Sequence, residues 1–231
     1  MQNYYSYSKT GSAHIADGIC NQDAVLTASA NGISLAVLAD GVSSCENSRT
    51  GAEYVCGLIR DIMLTEADFY MSLKSKSIAG LIVGFVRDEL KKLADGAGEE
   101  PVSYASTLCF VCIDSRRGKT LVFSLGDSRI YAVGSDSGTA ALGREYEIAG
   151  CATMTDGVQH KVYAEVFPSE KFDSFMLCSD GAWRLMTASE AIESKLQEDI
   201  AAEDVRSIYE FFDSADNQDD CSYCFIGTNQ L

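Results

Sequence analysis

Basic residues, prolines and histidines are all scarce in this sequence, and each shortage excludes a class of structure or function. The chain has 18 Lys and Arg against 34 Asp and Glu, which gives a formal charge of −16. So acidic a surface argues against binding nucleic acid, which requires a basic patch, and against attachment to an anionic membrane. The sequence has only two prolines and is 46% hydrophobic, a composition typical of a well-cored globule rather than a disordered chain.

Long hydrophobic runs are also absent. No stretch approaches the roughly 20 apolar residues that a membrane-spanning helix requires. Residues 1–7, MQNYYSY, have neither the basic segment nor the apolar core of a signal peptide. We therefore predict a cytoplasmic protein. Because single domains can reach roughly 250 residues and no low-complexity linker is present, we expect residues 1–231 to form one domain.

The nine cysteines do not form an evident zinc site. Most of them lie inside apolar runs, as expected of buried free thiols in a reducing compartment. Two C-x-x-C pairs, Cys109/Cys112 and Cys221/Cys224, fall in strand-like segments, where residues three apart point to opposite faces. Neither pair can chelate one ion in an extended strand, and the sequence has only two histidines to complete a site. Zinc binding is therefore disfavoured.

Hydrophobic periodicity predicts an α+β protein. Short apolar runs follow one another through turns such as Asn31-Gly32, Arg117-Gly118 and Asp127-Ser128, as in antiparallel hairpins. The predicted helices cover residues 48–65, 74–94, 188–196 and 202–212. The predicted strands cover residues 4–8, 24–30, 33–39, 105–113, 119–125, 129–133, 161–167, 174–178 and 222–227. Clustered helices and clustered antiparallel strands favour two packed sheets with helices outside.

Two segments without periodicity, 134–143 and 150–160, are predicted to be loops. The stretch that leads from them to Asp180 is the best candidate for a mobile flap. Substrate specificity would then lie within residues 134–172.

Acidic residues stand at the ends of several predicted buried strands. The apolar runs 33–39, 121–125 and 175–178 lead into Asp40, Asp127 and Asp180, each followed by Gly or Ser. A fourth acidic element, Asp219-Asp220, immediately precedes the run 221–227. A carboxylate at the tip of a buried strand is partly desolvated and costly unless a positive charge meets it. Together these aspartates predict a shared site for hard divalent cations.

Asp-Gly is a common turn dipeptide, and the sequence contains five of them. The pairs at Asp17, Asp95 and Asp156 have no apolar run before them, so we interpret these three as turns. Asp40 and Asp180 follow runs of strand length and composition, which weakens the turn interpretation for these two.

The chemistry of such a site needs few protein ligands. Mg²⁺ and Mn²⁺ prefer oxygen and keep several water ligands, so a few carboxylates and a backbone carbonyl suffice. Gly41 lets the backbone carbonyl approach a metal closely. Two metals about 4 Å apart can hold a bridging water and direct it at a phosphoryl group. No side-chain nucleophile is then required, which suits a chain without the P-loop pattern G-x-x-x-x-G-K-[ST].

Six short motifs occur along the chain in a characteristic order. They are Asn21-Gln22-Asp23-Ala24, Ala39-Asp40-Gly41, Ala105-Ser106-Thr107, Gly126-Asp127-Ser128-Arg129, Ser179-Asp180-Gly181 and Asp219-Asp220. Each motif alone is weak, but in this order they resemble the metal-dependent type 2C (PPM) serine/threonine protein phosphatases. Residues 11–23 are similar to a bacterial branch of that family. The resemblance covers nearly the whole chain.

The resemblance implies a four-layer αββα sandwich of two antiparallel sheets flanked by helices, with Mn²⁺ or Mg²⁺ in a cleft at one end of the sheets. By position, Asp40 would bridge two metals, and the Gly41 carbonyl would bind one of them. Asp180 and Asp219 would bind the other metal. Asp23 would contact the cluster through water.

A third, weaker metal is implied as well. Asp127 would bind it together with Asp180. Asp220 stands where asparagine is common in the family, so the resemblance specifies its role less closely than that of Asp219. The nucleophile implied is the metal-bridging water, so no side chain is expected in that role.

The sequence departs from the family pattern around the phosphate. Val42 stands where better-known members have a histidine proposed as general acid, so metal-bound water or another group must protonate the leaving alkoxide. Gly18 replaces the expected phosphate-binding arginine. We predict His14, Arg49 and Arg184 as substitutes; the alternative for each is an ordinary surface arginine or a hydrogen-bonded histidine.

Residues 178–184, CSDGAWR, also match C-x5-R, the spacing of cysteine-nucleophile phosphatases. That chemistry needs a thiolate in positive surroundings. Asp180 would repel both the thiolate and the phosphate. Because Cys178 ends an apolar strand, a buried and unreactive thiol is predicted instead.

The prediction is therefore an Mn²⁺- or Mg²⁺-dependent hydrolase of phosphoserine and phosphothreonine in proteins, with two ions and a weaker third. Its partners would be phosphoproteins, in opposition to a bacterial serine/threonine kinase, and neither nucleic acid nor membrane. The alternative is a sensor or scaffold of the same fold with weak or no turnover, which the missing histidine and arginine favour. The retained aspartates argue against it, since clustered carboxylates without an ion only destabilise a fold. A phosphatase of small molecules stays open.

Overall fold

Two five-stranded antiparallel sheets form the centre of the structure, a computed structural model that describes residues 4–134, 138–143 and 153–228. In chain order the described strands are β1 (Tyr4–Lys9), β2 (Asp23–Ala30), β3 (Ile33–Asp40), β4 (Leu108–Asp114), β5 (Lys119–Leu125), β6 (Arg129–Gly134), β7 (Gly138–Leu142), β8 (Tyr163–Pro168), β9 (Ser174–Cys178) and β10 (Cys221–Gly227). One sheet has the order β2-β3-β4-β5-β8 and the other the order β1-β10-β9-β6-β7.

Helices cover the outer face of each sheet. The described α-helices are α1 (Ser12–Asp17), α2 (Ser48–Met71), α3 (Ser75–Ala97), α4 (Asp180–Met186), α5 (Glu190–Ala201) and α6 (Val205–Ser214). The pair α2 and α3 packs on the β2-β3-β4-β5-β8 sheet, and α4, α5 and α6 pack on the other sheet. The four-layer αββα sandwich predicted from the sequence is therefore confirmed.

The central strands are continuous apolar runs because both of their faces are buried. In β3, Leu35 and Val37 face the helices α2 and α3, whereas Ala36 and Leu38 face the opposite sheet. Alternate residues of a strand point to opposite faces, so a strand between two layers carries mostly apolar residues on both faces. The apolar runs 33–39, 121–125 and 175–178 follow from this arrangement.

The β2–β3 hairpin positions two of the predicted ligands. Asn31 and Gly32 form its two-residue turn with φ values of 51° and 75°, the left-handed pair that matches the twist of a hairpin. The turn pairs Ala30 with Ile33, and the register then continues to Asp23 opposite Asp40. The sequence prediction of this turn is confirmed.

The cysteines lie as predicted. All eight cysteines in the described part of the chain are free. Cys109 faces the space between the sheets and Cys112 faces the helices α2 and α3. Cys224 likewise faces the space between the sheets, and Cys221 faces the helices on the other side. Neither C-x-x-C pair converges on one point, so neither forms a two-thiolate metal site.

The prediction of a hairpin at Asp127-Ser128 is wrong. Strands β5 and β6 on either side of this turn belong to different sheets. Gly126, with φ of 100°, bends the chain out of one sheet and into the other. Both kinds of connection use the same turn residues and join buried strands, so local sequence does not distinguish them.

Three further expectations are corrected. Asp95-Gly96 is not a turn but lies inside α3, which ends only at the left-handed Gly98. Part of the predicted loop 134–143 forms β7, an edge strand of small residues that pairs with β6. The stretch predicted as a mobile flap contains β8 and β9, the strands predicted over residues 161–167 and 174–178, and β9 lies in the middle of its sheet, which is not the place of a flap. The remaining parts of the predicted loops, 135–137 and 150–152, lie outside the described residues.

Among the described residues, no helix is both long and apolar enough to cross a membrane.

Candidate metal centre

Asp23 and Asp40 stand side by side at one end of the sandwich. Asp23 is the first residue of β2 and Asp40 the last residue of β3, and the two are paired across the hairpin. The Asp23 side chain is buried, and neither of its carboxylate oxygens has a hydrogen-bond partner of ordinary geometry. An unsatisfied buried carboxylate is costly and requires a compensating group.

The backbone of Asp40 is fixed by the loop before β4. The Asp40 N–H donates to Thr107 Oγ1 at 2.9 Å, and the Thr107 N–H donates to the Asp40 carbonyl at 2.7 Å. Thr107 Oγ1 also lies 3.0 Å from Ser128 Oγ, beside Asp127. The sequence analysis included Thr107 and Ser128 in motifs but gave them no role; the structure shows that they join the Asp40 and Asp127 loops.

Gly41 has no space for a side chain. A Cβ at this position would lie 2.9 Å from both the Gln22 carbonyl oxygen and atoms of Ser48. The Gly41 N–H donates to the same Gln22 carbonyl at 3.2 Å. The glycine therefore allows the β3 end, the start of β2 and α2 to meet at the predicted ligands.

Asp180 enters the cluster from the second sheet. The sequence places it at a strand end, but the structure shows that it begins α4 directly after β9. Gly181 allows α4 to approach the 217–220 loop, since a Cβ there would lie 2.1 Å from the Asp220 carbonyl oxygen. The Trp183 Nε1–H in α4 donates to the Asp127 carbonyl at 2.8 Å, which links α4 to the Asp127 loop. Trp183 was not identified as a site residue from sequence.

The two adjacent aspartates of the 219–220 motif have different surroundings. Asp219 is half-exposed and faces Arg184. Asp220 is buried, and its carboxylate accepts the Gly11 N–H at 2.9 Å and the Gln22 N–H at 2.6 Å. Asp220 thus joins the segments that precede α1 and β2 to the strand β10.

The predicted phosphate-binding residues lie in three different places. His14 is in α1, with Nδ1 3.0 Å from Asp220 Oδ2. Arg49 pairs with Glu53 one turn further along α2 at 3.0 Å, and both side chains are exposed. Arg184 pairs with Asp180 within α4 at 2.9 Å.

The carboxylates of the cluster repel one another. Burial raises the pKa of Asp40 well above its ordinary value, and the charges of Asp23, Asp180, Asp127 and Asp219 raise it further. Burial also raises the pKa of Asp23, against the opposing effect of nearby hydroxyl groups. Burial and then the charge of Asp219 raise the pKa of Asp180. In each case burial and neighbouring carboxylates disfavour the charged form; at Asp180 the charge of Arg184 opposes them only in part.

The residues fit hard divalent cations, although their side chains alone do not enclose one. No three His, Cys, Asp or Glu side chains within 4–134, 138–143 and 153–228 converge tightly enough to hold an ion. Mg²⁺ and Mn²⁺ need few direct protein ligands because they retain water. The donors here are all oxygens, they repel one another, and Asp23 has two unpartnered buried oxygens. A cation would relieve all of these costs.

The alternative cysteine-nucleophile site finds no support in the geometry. Cys178 is fully buried at the end of β9, and its Sγ contacts Met186 Sδ at 3.7 Å. Burial raises the pKa of the Cys178 thiol well above its ordinary value. A buried neutral thiol is not a nucleophile, as predicted from the apolar run that precedes it.

Comparison with known families decides the relationship. The family model for protein phosphatase 2C matches residues 10–219, a span that contains every one of the predicted ligands. The chain belongs to the protein phosphatase 2C family. The resemblance seen in the motifs is thereby confirmed. A comparison with curated proteins finds no match.

Solved structures of bacterial protein phosphatase 2C relatives share the fold. PppA, a key regulatory component of T6SS in Pseudomonas aeruginosa, is 21% identical with a TM-score of 0.67, covering 96% of this chain and 95% of that chain. RsbX in complex with magnesium is 13% identical with a TM-score of 0.64, covering 96% and 92%. The serine/threonine phosphatase Stp1 from Staphylococcus aureus is 16% identical with a TM-score of 0.60, covering 100% and 96%. At these identities the likeness concerns the fold.

Proposed function

We propose that this protein is a phosphoserine/phosphothreonine protein phosphatase that depends on Mn²⁺ or Mg²⁺, with residues 1–231 as a single phosphatase domain. The observation that carries the proposal is the convergence of carboxylates around Asp40, whose pKa they and burial raise together. Such a cluster costs stability unless cations bind to it. Membership of the protein phosphatase 2C family supports the same conclusion.

The roles proposed for the ligands are those that the family resemblance implies. Asp40 and the Gly41 carbonyl would hold one cation, and Asp40, Asp180 and Asp219 would hold a second. Asp127 and Asp180 would hold a weaker third, and Asp23 would contact the cations through water. When bound, such cations activate a water molecule as nucleophile and neutralise charge on the phosphoryl group.

The chain's own residues hold this centre rigid. The reciprocal hydrogen bonds between Asp40 and Thr107 fix the end of β3. The hydrogen bond from Trp183 to the Asp127 carbonyl fixes α4 against the loop that contains Asp127. Ligands held in this way lose little freedom when a cation binds. The cluster is therefore preorganised for catalysis.

Proton donation to the leaving group is the weakest part of the site. Val42 follows Gly41 and has no proton to donate. His14 has one ring nitrogen against Asp220, so this atom is engaged in the fold. We expect the rate to depend strongly on how basic the leaving group is.

The substrate we propose is a protein phosphorylated by a serine/threonine kinase. Two structural neighbours support a place in signalling: PppA is a regulatory component of T6SS, and another neighbour belongs to the bacterial stressosome. The acidic charge of this chain gives it no general affinity for the phosphate itself. Recognition must therefore come from the bound cations and from local basic groups.

The proposal is tested by phosphate release from a phosphothreonine peptide with Mn²⁺, with EDTA, and with the variant Asp180→Asn. We expect release that requires Mn²⁺ and disappears in the variant. If no phosphate is released but Mn²⁺ raises the melting temperature, a metal-binding scaffold replaces the phosphatase. Normal release in EDTA would reject the metal-dependent mechanism.

A further inference from the structure

One guanidinium lies between two predicted ligands of the same cation. Arg184 and Asp180 are four residues apart in α4, with Nη2 to Oδ2 at 2.9 Å. The other terminal nitrogen of Arg184 lies 3.8 Å from Asp219 Oδ2. Asp180 lies in α4 and Asp219 in the loop before β10, so Arg184 bridges two separate elements.

Arg184 acts on a cluster that is otherwise uncompensated. Its positive charge lowers the pKa of Asp180 against the raising effects of burial and of Asp219. By contrast, the strongest influences on Asp40 are burial and four carboxylates. The side chain of Arg184 is 57% exposed and that of Asp180 16% exposed, so the guanidinium contacts the cluster from its solvent side. From there it can leave without disturbing the core.

We propose that Arg184 is a built-in counter-cation that holds Asp180 and Asp219 together in the metal-free protein and competes with the divalent cation for them. The inference rests on the proposed metal site. Arg184 opposes cation binding in two ways: its guanidinium occupies Oδ2 of Asp180 at 2.9 Å, and its positive charge repels a second cation placed beside the same carboxylates. Arg184 therefore weakens cation binding and stabilises the metal-free fold.

The chain provides its own reporter of this exchange. Trp183 is the single tryptophan, its ring is 5.6 Å from the Arg184 guanidinium carbon, and its Nε1–H donates to the Asp127 carbonyl. Displacement of Arg184 should change the surroundings of this ring. Mg²⁺ titrations followed by tryptophan fluorescence would thus report the site directly, and calorimetry would give the affinity independently.

The experiment compares the full-length protein with Arg184→Gln, Arg184→Lys and Arg206→Gln. Arg206 is a matched control, since it also pairs with a carboxylate four residues along a helix, Glu210, at 2.8 Å, but is 87% exposed. Mg²⁺ and Mn²⁺ affinities are measured by calorimetry and fluorescence, and melting temperatures are measured in EDTA. Neither readout requires catalytic activity.

We expect Arg184→Gln to bind Mg²⁺ about two- to fivefold more tightly, the fold-change that corresponds to the strength of a solvent-exposed ion pair. It should also melt at a lower temperature in EDTA. The Mg²⁺ affinity of Arg184→Lys should lie between those of the unaltered protein and of Arg184→Gln, because an ammonium is a single point charge that does not span two carboxylates. Arg206→Gln should match the unaltered protein in affinity.

Two outcomes overturn the inference in different ways. If the unaltered protein binds Mg²⁺ and Arg184→Gln binds it equally or more weakly, Arg184 is not a competitor, while the metal site stands. If neither protein binds Mg²⁺ or Mn²⁺, the metal site itself is refuted and the competition with it. Equal increases in Mg²⁺ affinity in Arg184→Gln and Arg206→Gln would show a general effect of net charge and would also reject the specific role of Arg184.

Discussion

Asp23 lies directly opposite Asp40 in the antiparallel pair formed by β2 and β3. Like charges at directly opposed positions destabilise a sheet, and here Asp23 is also buried, with no hydrogen-bond partner of ordinary geometry at either oxygen. The Asn31-Gly32 turn fixes this pairing, because a hairpin with a two-residue loop has one register. The hairpin thus holds two repelling carboxylates together at a cost that a bound cation would remove.

Removing one charge from this cluster should stabilise the metal-free protein. We expect Asp40→Asn to abolish turnover and to raise the free energy of unfolding in EDTA by about 1–3 kcal/mol, since burial and four carboxylates disfavour its charge. Urea unfolding in EDTA measures this difference. The exposed Asp156→Asn, also in an Asp-Gly pair, is the control: it loses only a surface ion pair with Arg87, so turnover should not change and stability should fall by no more than about 1 kcal/mol. Loss of stability in Asp40→Asn would contradict the electrostatic account.

The stability of the metal-free protein should fall as the pH rises. Burial raises the pKa of Asp23 from 3.8 to about 7, so the folded state keeps a proton that the unfolded chain has lost. Between about pH 4 and pH 7 the folded state therefore binds more protons than the unfolded state, and the free energy of unfolding decreases as the pH rises through this window.

Urea unfolding at several pH values, in EDTA, checks this dependence against two variants. Asp23→Asn should flatten the decline. Asp114→Asn is the contrast: burial acts to raise the Asp114 pKa, but hydrogen bonds from Arg117 and Arg116 lower it overall. Its titration lies below the window, so this variant should keep the slope of the unaltered protein. An identical slope in Asp23→Asn would show that other groups control the dependence.

Asp220 should matter more for stability than for cation binding. Asp220→Ala leaves the Gly11 and Gln22 N–H groups without their acceptor, and we expect a loss of about 2–4 kcal/mol. Denaturant unfolding measures this loss. Asp216→Ala, an exposed position in the same loop, should change stability by less than about 0.5 kcal/mol. A small effect of Asp220→Ala would mean that the loop is held by other contacts.

A histidine at position 42 should supply the general acid that Val42 cannot provide. We expect Val42→His to increase the rate on a phosphothreonine peptide by about 10-fold, less than the roughly 100-fold or more of a fully positioned general acid. On p-nitrophenyl phosphate, whose leaving group needs no proton, the rate should change little. Val42→Gln, similar in size but not acidic, is the control. Equal gains on both substrates would point to a change in substrate binding instead.

Much of the fold and of the cluster could be predicted from the sequence because both are encoded locally. Runs made up almost entirely of apolar residues give the doubly buried strands, and the Asn31-Gly32 pair gives the β2–β3 register. Aspartates that follow such runs are held where the strands end or, for Asp180, at the start of the helix after the strand. The metal-ligand assignments of Asp23, Asp40, Gly41, Asp127, Asp180 and Asp219 stay predictions, although the structure places these residues in one region.

The tertiary structure alone decided which partners those residues meet. That β5 and β6 belong to different sheets, that Asp220 binds the distant Gly11 and Gln22, and that Arg184 faces Asp219 all depend on contacts between segments far apart in the chain. Local sequence determines where a carboxylate is rigid, because turns and apolar runs act over a few residues. Which cation neutralises it depends on long-range packing, since charge acts through space and not along the chain.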